Sequence, residues 1–370
     1  MMAERVLVVG GGMAGLSCAV AMGNHGSVVD VVELTGHVES ESVNLSGRSV
    51  DALADLGVLA ECCARANAQS APVFGHLFDA AGNPRENLPR PQEPHRPLPA
   101  AVVIHRPDLI DVLAGAARRA GATVRTPATV TSIVQAPDNV LVSFDDGSTA
   151  EYDLVVGADG VHSAVRDLVW GDAVRPVYTG ALGLRWIVGR VPGGPLGFYY
   201  APGRVVVVGE LPGEQVYLAT FADTDKVDVT QAQARDLLRG VLAAYSAPYL
   251  GKLLDCLDET QRIVTRPWET FWLPDWYRGR VVLIGDAVHA TAPYLPAGGG
   301  MALIDSVVLA EELAESDTIA DGLAAFLRRR QERARLVVAT SIEVTRLQRE
   351  GDPSAADVVT GALRTLALPY

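Results

Sequence analysis

Gly10, Gly12 and Gly15 follow the apolar run Arg5-Val-Leu-Val-Val9, and Glu33 closes the next run, Val28-Val-Asp-Val-Val. These residue types suit a phosphate and a sugar. Glycine at 10 permits a tight turn, at 12 it lets backbone approach a pyrophosphate, and at 15 it lets a helix lie close to the strand. The unpaired N–H groups of a helix opening at Met13 and Ala14 then face the phosphate oxygens. Glu33 stands 21 residues after Gly12, the spacing of the carboxylate that accepts hydrogen bonds from the ribose of an adenine dinucleotide. A lone G-x-G-x-x-G is a weak signal, because glycine after a strand often makes only a turn. Here strand, glycines, helix and acid fall in register, which predicts a dinucleotide site.

Two further stretches repeat the design of a buried strand ending in glycine and acid. One is Val155-Val-Gly-Ala-Asp159-Gly160, continuing to Arg166; the other is Val282-Leu-Ile-Gly285-Asp286, continuing through His289 and Pro293 to Gly298-Gly299-Gly300. Each alone could be an Asp capping backbone N–H groups in a loop. With the fingerprint, all three loops would gather at the carboxyl ends of one parallel sheet, where ligands bind in such folds.

The elements that must position these residues alternate between strand and helix. A polar loop spans Thr35 to Ser42, helical spacing runs from Gly47 to Leu56, and Phe74 to Leu88 alternates around Gly82-Asn83 as a hairpin. A proline-rich connector covers 89–99, a strand 102–104, and a helix opens at Arg106-Pro107 and runs to Arg119. Three short strands are expected between Thr123 and Glu151, and another buried strand over Asp153 to Gly157. From 172 to 272 the texture is strand-like runs separated by Gly/Pro turns, with one helix over Gln231 to Tyr245. The buried-strand style returns at Arg280, and helices are expected over 298–315 and 319–349. The division that follows is a discontinuous dinucleotide domain (1–72, 100–171 and 278–370) with a sheet-rich substrate domain (73–99 and 172–277) inserted into it.

Composition narrows the function. The chain has 370 residues, 49% of them apolar, so a sizeable core is expected. A net charge of −13 argues against nucleic acid and an anionic membrane surface as partners. The four cysteines form no disulfide framework and, with the histidines, no metal-site spacing, so no metal is expected. The fingerprint starts too near the first residue for a signal peptide, and no apolar run reaches the length of a membrane span. A cytoplasmic location is the expectation.

The sequence resembles the FAD-dependent class A aromatic hydroxylases, flavoprotein monooxygenases of the p-hydroxybenzoate hydroxylase type. The resemblance covers essentially the whole chain. It rests on Gly10 to Gly15 with Glu33, Asp159-Gly160 with Arg166, and Gly285-Asp286 with His289 and Pro293, joined by Leu45-Ser-Gly-Arg48 and His105-Arg106-Pro107. It implies an α/β fold with an α+β second lobe: a Rossmann-like, glutathione-reductase-type FAD-binding domain with an inserted substrate domain. It also implies that Glu33 binds the adenosine ribose, Arg106 lies near the pyrophosphate and ribityl chain, and Asp286 contacts that same region. Asp159 belongs to a motif associated with FAD and nicotinamide, and Arg48 lies beside the flavin. Gly298 to Gly300 open a helix whose N–H groups suit the negative edge of a reduced flavin. Where relatives carry Gly-Gln-Gly-x-Asn this chain has Pro296-Ala-Gly-Gly-Gly300, residues 37–42 replace a glycine-rich loop with Glu and Ser, and the extra C-terminal domain of some relatives is missing.

The implied reaction uses NADH or NADPH as a transient co-substrate, since the one dinucleotide fingerprint is taken by FAD. Molecular oxygen then gives a flavin C4a-hydroperoxide that hydroxylates an aromatic or polycyclic small molecule. Epoxidation and Baeyer–Villiger oxidation are the same-fold alternatives; a Trp-x-Trp-x-Ile-Pro halogenase motif is missing. A dinucleotide-binding protein without this chemistry is the third class. Arg185, Tyr199 and Pro293 are the catalytic candidates. Alternation along a strand lets only one of Tyr199 and Tyr200 face a pocket, and Trp186 and Phe198 are candidate walls. Trp268, Trp272 and Trp276 are expected in the interlobe core, and His105, His162 and His289 as packing or hydrogen-bonding residues. The substrate's identity and the oligomeric state stay open at this level.

Overall fold

Valine-rich segments without polar alternation form the centre of the computed structural model, as expected for strands buried on both faces. It describes residues 3–36, 42–66, 76–85, 97–171, 175–189, 191–192, 194–211, 215–225, 227–295, 298–352 and 354–367. The chain begins β1 (Arg5–Val9), α1 (Met13–Asn24), β2 (Val28–Val32), β3 (Ser42–Ser46), α2 (Arg48–Asp55) and α3 (Leu59–Arg65). It continues with β4 (Leu77–Phe78), β5 (Pro84–Arg85), β6 (Ala101–His105), α4 (Arg106–Arg119), β7 (Thr123–Arg125), β8 (Val130–Gln135), β9 (Val140–Phe144) and β10 (Thr149–Tyr152). Next come β11 (Leu154–Gly157), α5 (Ala164–Trp170), β12 (Val177–Gly189), β13 (Gly197–Ala201), β14 (Arg204–Leu211), β15 (Gln215–Asp223), α6 (Gln231–Leu242) and α7 (Pro248–Asp255). The last elements are β16 (Ile263–Thr270), β17 (Tyr277–Arg278), β18 (Val281–Leu283), α8 (Asp286–His289), α9 (Gly298–Glu315), α10 (Ile319–Glu350) and α11 (Ala355–Ala367).

A six-stranded sheet of order β17-β18-β11-β1-β2-β7 is parallel except at its β17–β18 edge. From β1 the chain steps to β2 on one side and later to β11 and β18 on the other. The carboxyl ends of β1, β11 and β18 therefore meet at the switch point of strand order, which places all three glycine-rich loops together. Small residues let α1 pack closely on α9, where the buried hydroxyls of Ser17 and Ser306 lie 2.9 Å apart. The hairpin pair β8–β9–β10 is an antiparallel excursion between β7 and β11.

The second sheet, of order β16-β12-β15-β14-β13-β4-β5, is antiparallel apart from β13–β4. Its period-2 alternation sorts side chains onto two faces. Trp186, Leu218, Val208 and Tyr199 point to the face covered by α6 and α7, where they form a core with Leu238 and Leu250. The pairs Arg185↔Ala219, Ala219↔Val207, Val207↔Phe198, Phe198↔Leu77 and Leu77↔Arg85 set one continuous row on the opposite face.

The structure differs from expectation in several places. The region after β7 holds β8, β9 and β10, so four strands, not three, lie between Thr123 and Tyr152. Helices α7 and α11 lie outside the expected helices; α7 opens on Pro248, and a proline at the first turn is compatible with a helix. β3, which pairs with β6, also escaped notice. The hairpin around Gly82-Asn83 is present as β4–β5. Its flanks at 74–75 and 86–88, most of the connector (89–96), the loop at 37–41, and Pro296-Ala297 lie outside the described residues.

Candidate active site

A cavity of about 1770 Å³ runs from the fingerprint, past the ends of β11 and β18, to the open face of the second sheet. At the fingerprint the three glycines do different things. A Cβ at Gly10, where φ is +110°, would lie 2.4 Å from the carbonyl oxygen of Ala158, and one at Gly15 would lie 1.8 Å from that of Gly10. Both are therefore required by the fold. A Cβ at Gly12 would meet nothing within 4 Å, so the protein leaves a space there that only a bound group would use. Gly12 caps α1 without a side-chain hydrogen bond, no acid occupies the first turn, and Met13 and Ala14 line the cavity beside it. That is the N–H array a pyrophosphate needs.

Glu33 lines the cavity at the end of β2. Its carboxylate accepts from the N–H groups of Gly11 at 2.7 Å, Thr35 at 2.9 Å and Gly36 at 3.3 Å. Burial alone would raise its pKa, but the backbone donors outweigh it and hold it below the usual carboxylate value. Its contribution to stability is thus complete above the unfolded-state pKa and is lost as pH falls through the lower folded one. Each oxygen retains acceptor capacity for a ribose hydroxyl. Glu33→Ala is expected to weaken dinucleotide retention by about 1.5–3 kcal/mol, roughly ten- to hundredfold, the worth of one or two charge-assisted hydrogen bonds. Titration of the apoprotein checks it, and an affinity within twofold of wild type would show that the ribose lies elsewhere.

Asp286 begins α8 at the end of β18 and lines the cavity. Its side chain is exposed to the cavity. Burial pushes its pKa up, partly offset by His289, Arg106 and Arg266. Among the described residues its carboxylate has no hydrogen-bond partner. Open to the cavity, that carboxylate keeps its acceptor capacity for a donor there, and a polyol hydroxyl is such a donor. Arg106, the first residue of α4, and Pro293, Gly298 and Gly299 complete this part of the wall. Asp159 lines the cavity too, yet its carboxylate already accepts from Ser163 Oγ at 2.5 Å and Val165 N–H at 3.1 Å. Burial raises its pKa against those two donors. It shapes the β11–α5 loop while facing the cavity.

Some expected residues are placed elsewhere. Arg48 is not among the residues lining the cavity: it starts α2, and its guanidinium runs forward along the helix to Asp51 at 3.9 Å. Gly300 is buried against Ser49, so only its two predecessors reach the wall. Tyr199 is corrected to a core residue, because alternation turns it to the helix-covered face, where it stacks on Phe78 and donates to Pro195 O at 2.6 Å. Tyr200 takes the cavity position with Phe198. Trp186 is likewise in that core, its Nε1–H donating to Gln261, whereas Arg185 faces the cavity.

Sequence reasoning missed Arg266, the cavity-facing side of Trp268, and a third feature. Arg266 and Trp268, two residues apart on β16, both line the cavity, with the indole over Gly183, where a Cβ would lie 2.3 Å from Nε1. Trp268 is an interlobe residue as expected, clustering with Phe221 and Tyr294 at ring distances of 4.7–5.8 Å; Trp272 and Trp276 pack with the first domain's core. The third feature is a buried acid, Asp305, on α9, bonded to His289 and Arg330. Asp305 follows the third motif by five residues, and an acid in the apolar first half of α9 was the available signal. His162, on the loop after Asp159, pairs with Glu269 at 3.2 Å across the cavity mouth. Among the described residues no group of ligands could hold a metal, and no helix is long and apolar enough to cross a membrane.

The family described as FAD binding domain matches residues 3–176 and 217–341. The chain belongs to this family. An FAD-dependent urate hydroxylase of Klebsiella oxytoca is 28% identical over 363 residues, covering 90% of this chain and 88% of the relative. A 2-heptyl-3-hydroxy-4(1H)-quinolone synthase of Mycobacteroides abscessus is 30% identical over 326 residues, covering 85% and 83%. The crystal structure of Klebsiella pneumoniae HpxO complexed with FAD and uric acid superposes with a TM-score of 0.80 at 24% identity, covering 98% of this chain and 93% of that one, which shows the shared fold. The protein is thus an α/β flavoprotein whose cofactor is FAD, an oxidoreductase of the FAD-dependent monooxygenase class. Glu33, the space at Gly12 with the uncapped start of α1, and Asp286 fit the ribose, pyrophosphate and ribityl parts of FAD respectively.

Proposed function

We propose that the protein is an NAD(P)H-dependent monooxygenase that hydroxylates an aromatic or polycyclic small molecule. The observation that carries this reading is the continuity of one cavity from the FAD-binding loops onto the open face of the second sheet. Pockets for a single small molecule span about 300–1,000 Å³, so this volume suits a dinucleotide with a second ligand beside it. Bound FAD supplies the redox chemistry: it accepts electrons from a reduced nicotinamide and activates dioxygen for transfer of one oxygen atom. The chain supplies burial and orientation. Ala219, Val207, Phe198 and Tyr200 offer an apolar floor for a planar ring, and Phe221, Trp268 and Tyr294 a wall that excludes water. Arg185 and Arg266 stand on neighbouring strands of the same face, offset by one pleat, since Gly183 pairs with Arg266 and Arg185 with Val264. They favour a phenolate, enolate or carboxylate on the substrate. Pro293 and the first residues of α9 close the cofactor side.

With one dinucleotide fingerprint in the sequence, the nicotinamide visits only transiently. The domain division (1–72, 100–171 and 278–370 against 73–99 and 172–277) is supported by the sheet to which each strand belongs. A cytoplasmic site of action is supported by four free cysteines. The urate hydroxylase and the quinolone synthase are named for planar nitrogen heterocycles, which sets the first substrates to try. The test is NADH or NADPH oxidation by the holoenzyme with a panel of phenols, quinolones, oxopurines and polyketide-like aromatics. Stimulation by at least one aromatic compound is expected. Oxidation stimulated by none, but coupled to dehydrogenation of an aliphatic compound, would contradict the reading.

A further inference from the structure

A buried ion network stands directly behind the turn that carries Asp286. Asp305 Oδ2 accepts from His289 Nε2 at 2.6 Å and from the Gly285 N–H at 3.1 Å, and its Oδ1 accepts from Arg330 Nε at 2.8 Å. The three side chains are 2% exposed or less. None lines the cavity, so none touches a cofactor. Burying charges costs roughly as much as pairing them returns, so such a network is weak evidence of a stabilising role. Its connections suggest another.

Gly285 adopts φ +60°, and its carbonyl accepts the backbone N–H groups of Val288 and His289, both at 3.0 Å. The turn is therefore held from both ends: Asp305 takes its N–H, His289 takes its C=O, and the His289 ring bonds the same Asp305 oxygen. Asp286 follows at once, its carboxylate aimed into the cavity. Asp305 also belongs to α9, whose opening residues Gly298 and Gly299 line another part of that wall. We propose that Asp305 is a positioning residue for FAD, which acts through Gly285 and His289 to fix the aim of Asp286 and to lock it to the start of α9. His289 and Arg330 hold the Asp305 carboxyl at about 2 against the burial that would raise it, so the anchor stays ionised. The inference rests on the reading of the cavity as an FAD site.

The test titrates the full-length apoprotein with FAD and, separately, with ADP, which engages the Gly12 and Glu33 end but not Asp286. Asp305→Asn is expected to weaken FAD at least tenfold while leaving ADP within twofold. Asp286→Ala should behave alike, and the double variant should lose no more FAD affinity than Asp286→Ala alone, because the first substitution acts through the second residue. His289→Leu, which keeps the Asp305–Arg330 pair, should weaken FAD at least fivefold, and serves if Asp305→Asn does not fold. Unchanged FAD affinity in the variants, fully additive losses, or equal loss of ADP and FAD would overturn the proposal. A wild type that binds neither ligand would overturn the FAD site itself.

Discussion

Gly12→Val removes FAD binding from a protein that still folds. The backbone at Gly12 has φ −80° and ψ −168°, an extended conformation open to valine, and its Cβ would meet no protein atom within 4 Å. The cost to the fold is no more than that of a poor helix N-cap, about 1 kcal/mol. The cost to the ligand is much larger, because the added methyls occupy the space where the pyrophosphate meets the first N–H groups of α1. Affinity should fall at least about 1,000-fold, or roughly 4 kcal/mol. Gly15→Val is the contrast: its Cβ would lie 1.8 Å from the Gly10 carbonyl oxygen, so helix and strand must separate and the fold itself is lost. Bound-flavin absorbance and thermal melting followed together check both. Full FAD occupancy in Gly12→Val would place the pyrophosphate elsewhere.

Arg185→Ala lowers kcat/KM about 100-fold for an anionic aromatic substrate and leaves FAD content unchanged. Arg185 faces the cavity from β12 among apolar neighbours, where a charge-assisted hydrogen bond is worth about 1.5–3 kcal/mol. The matched control is Tyr199→Phe. That phenol donates to Pro195 O on the far face of the sheet, so its loss costs about 1 kcal/mol of stability and leaves turnover within twofold. The pair tests the sorting of side chains by alternation. If Tyr199→Phe reduced turnover and Arg185→Ala did not, the sheet would present its other face to the substrate.

That same alternation marks where the sequence stopped being informative. The fingerprint, the acid at Glu33 and the two later strand–acid turns could be read directly, because each is local: a few consecutive residues carry both the turn and the chemistry. The sheet-rich lobe could not be read so well. Residues 199 and 200 are both tyrosines and Arg185 sits beside Trp186, so composition does not say which of each pair faces inward. Only the packing of α6 and α7 decides it, and α7 was not among the expected helices. Arg48 shows a similar limit, since a helix start fixes its backbone but not its side chain, which turns along the helix to Asp51. The Asp305 network joins residues 285, 289, 305 and 330, and such long-range pairing leaves no local spacing to recognise.

The central claim is that this FAD enzyme inserts oxygen from the gas phase into an aromatic ring. Turnover under ¹⁸O₂, with NADH or NADPH and the aromatic compound that best stimulates its oxidation, tests that claim most directly by mass spectrometry of the product. The account predicts one labelled oxygen atom per product molecule and a product heavier than substrate by that atom alone. Product that is dehydrogenated or reduced, or whose added oxygen comes only from water, would contradict it.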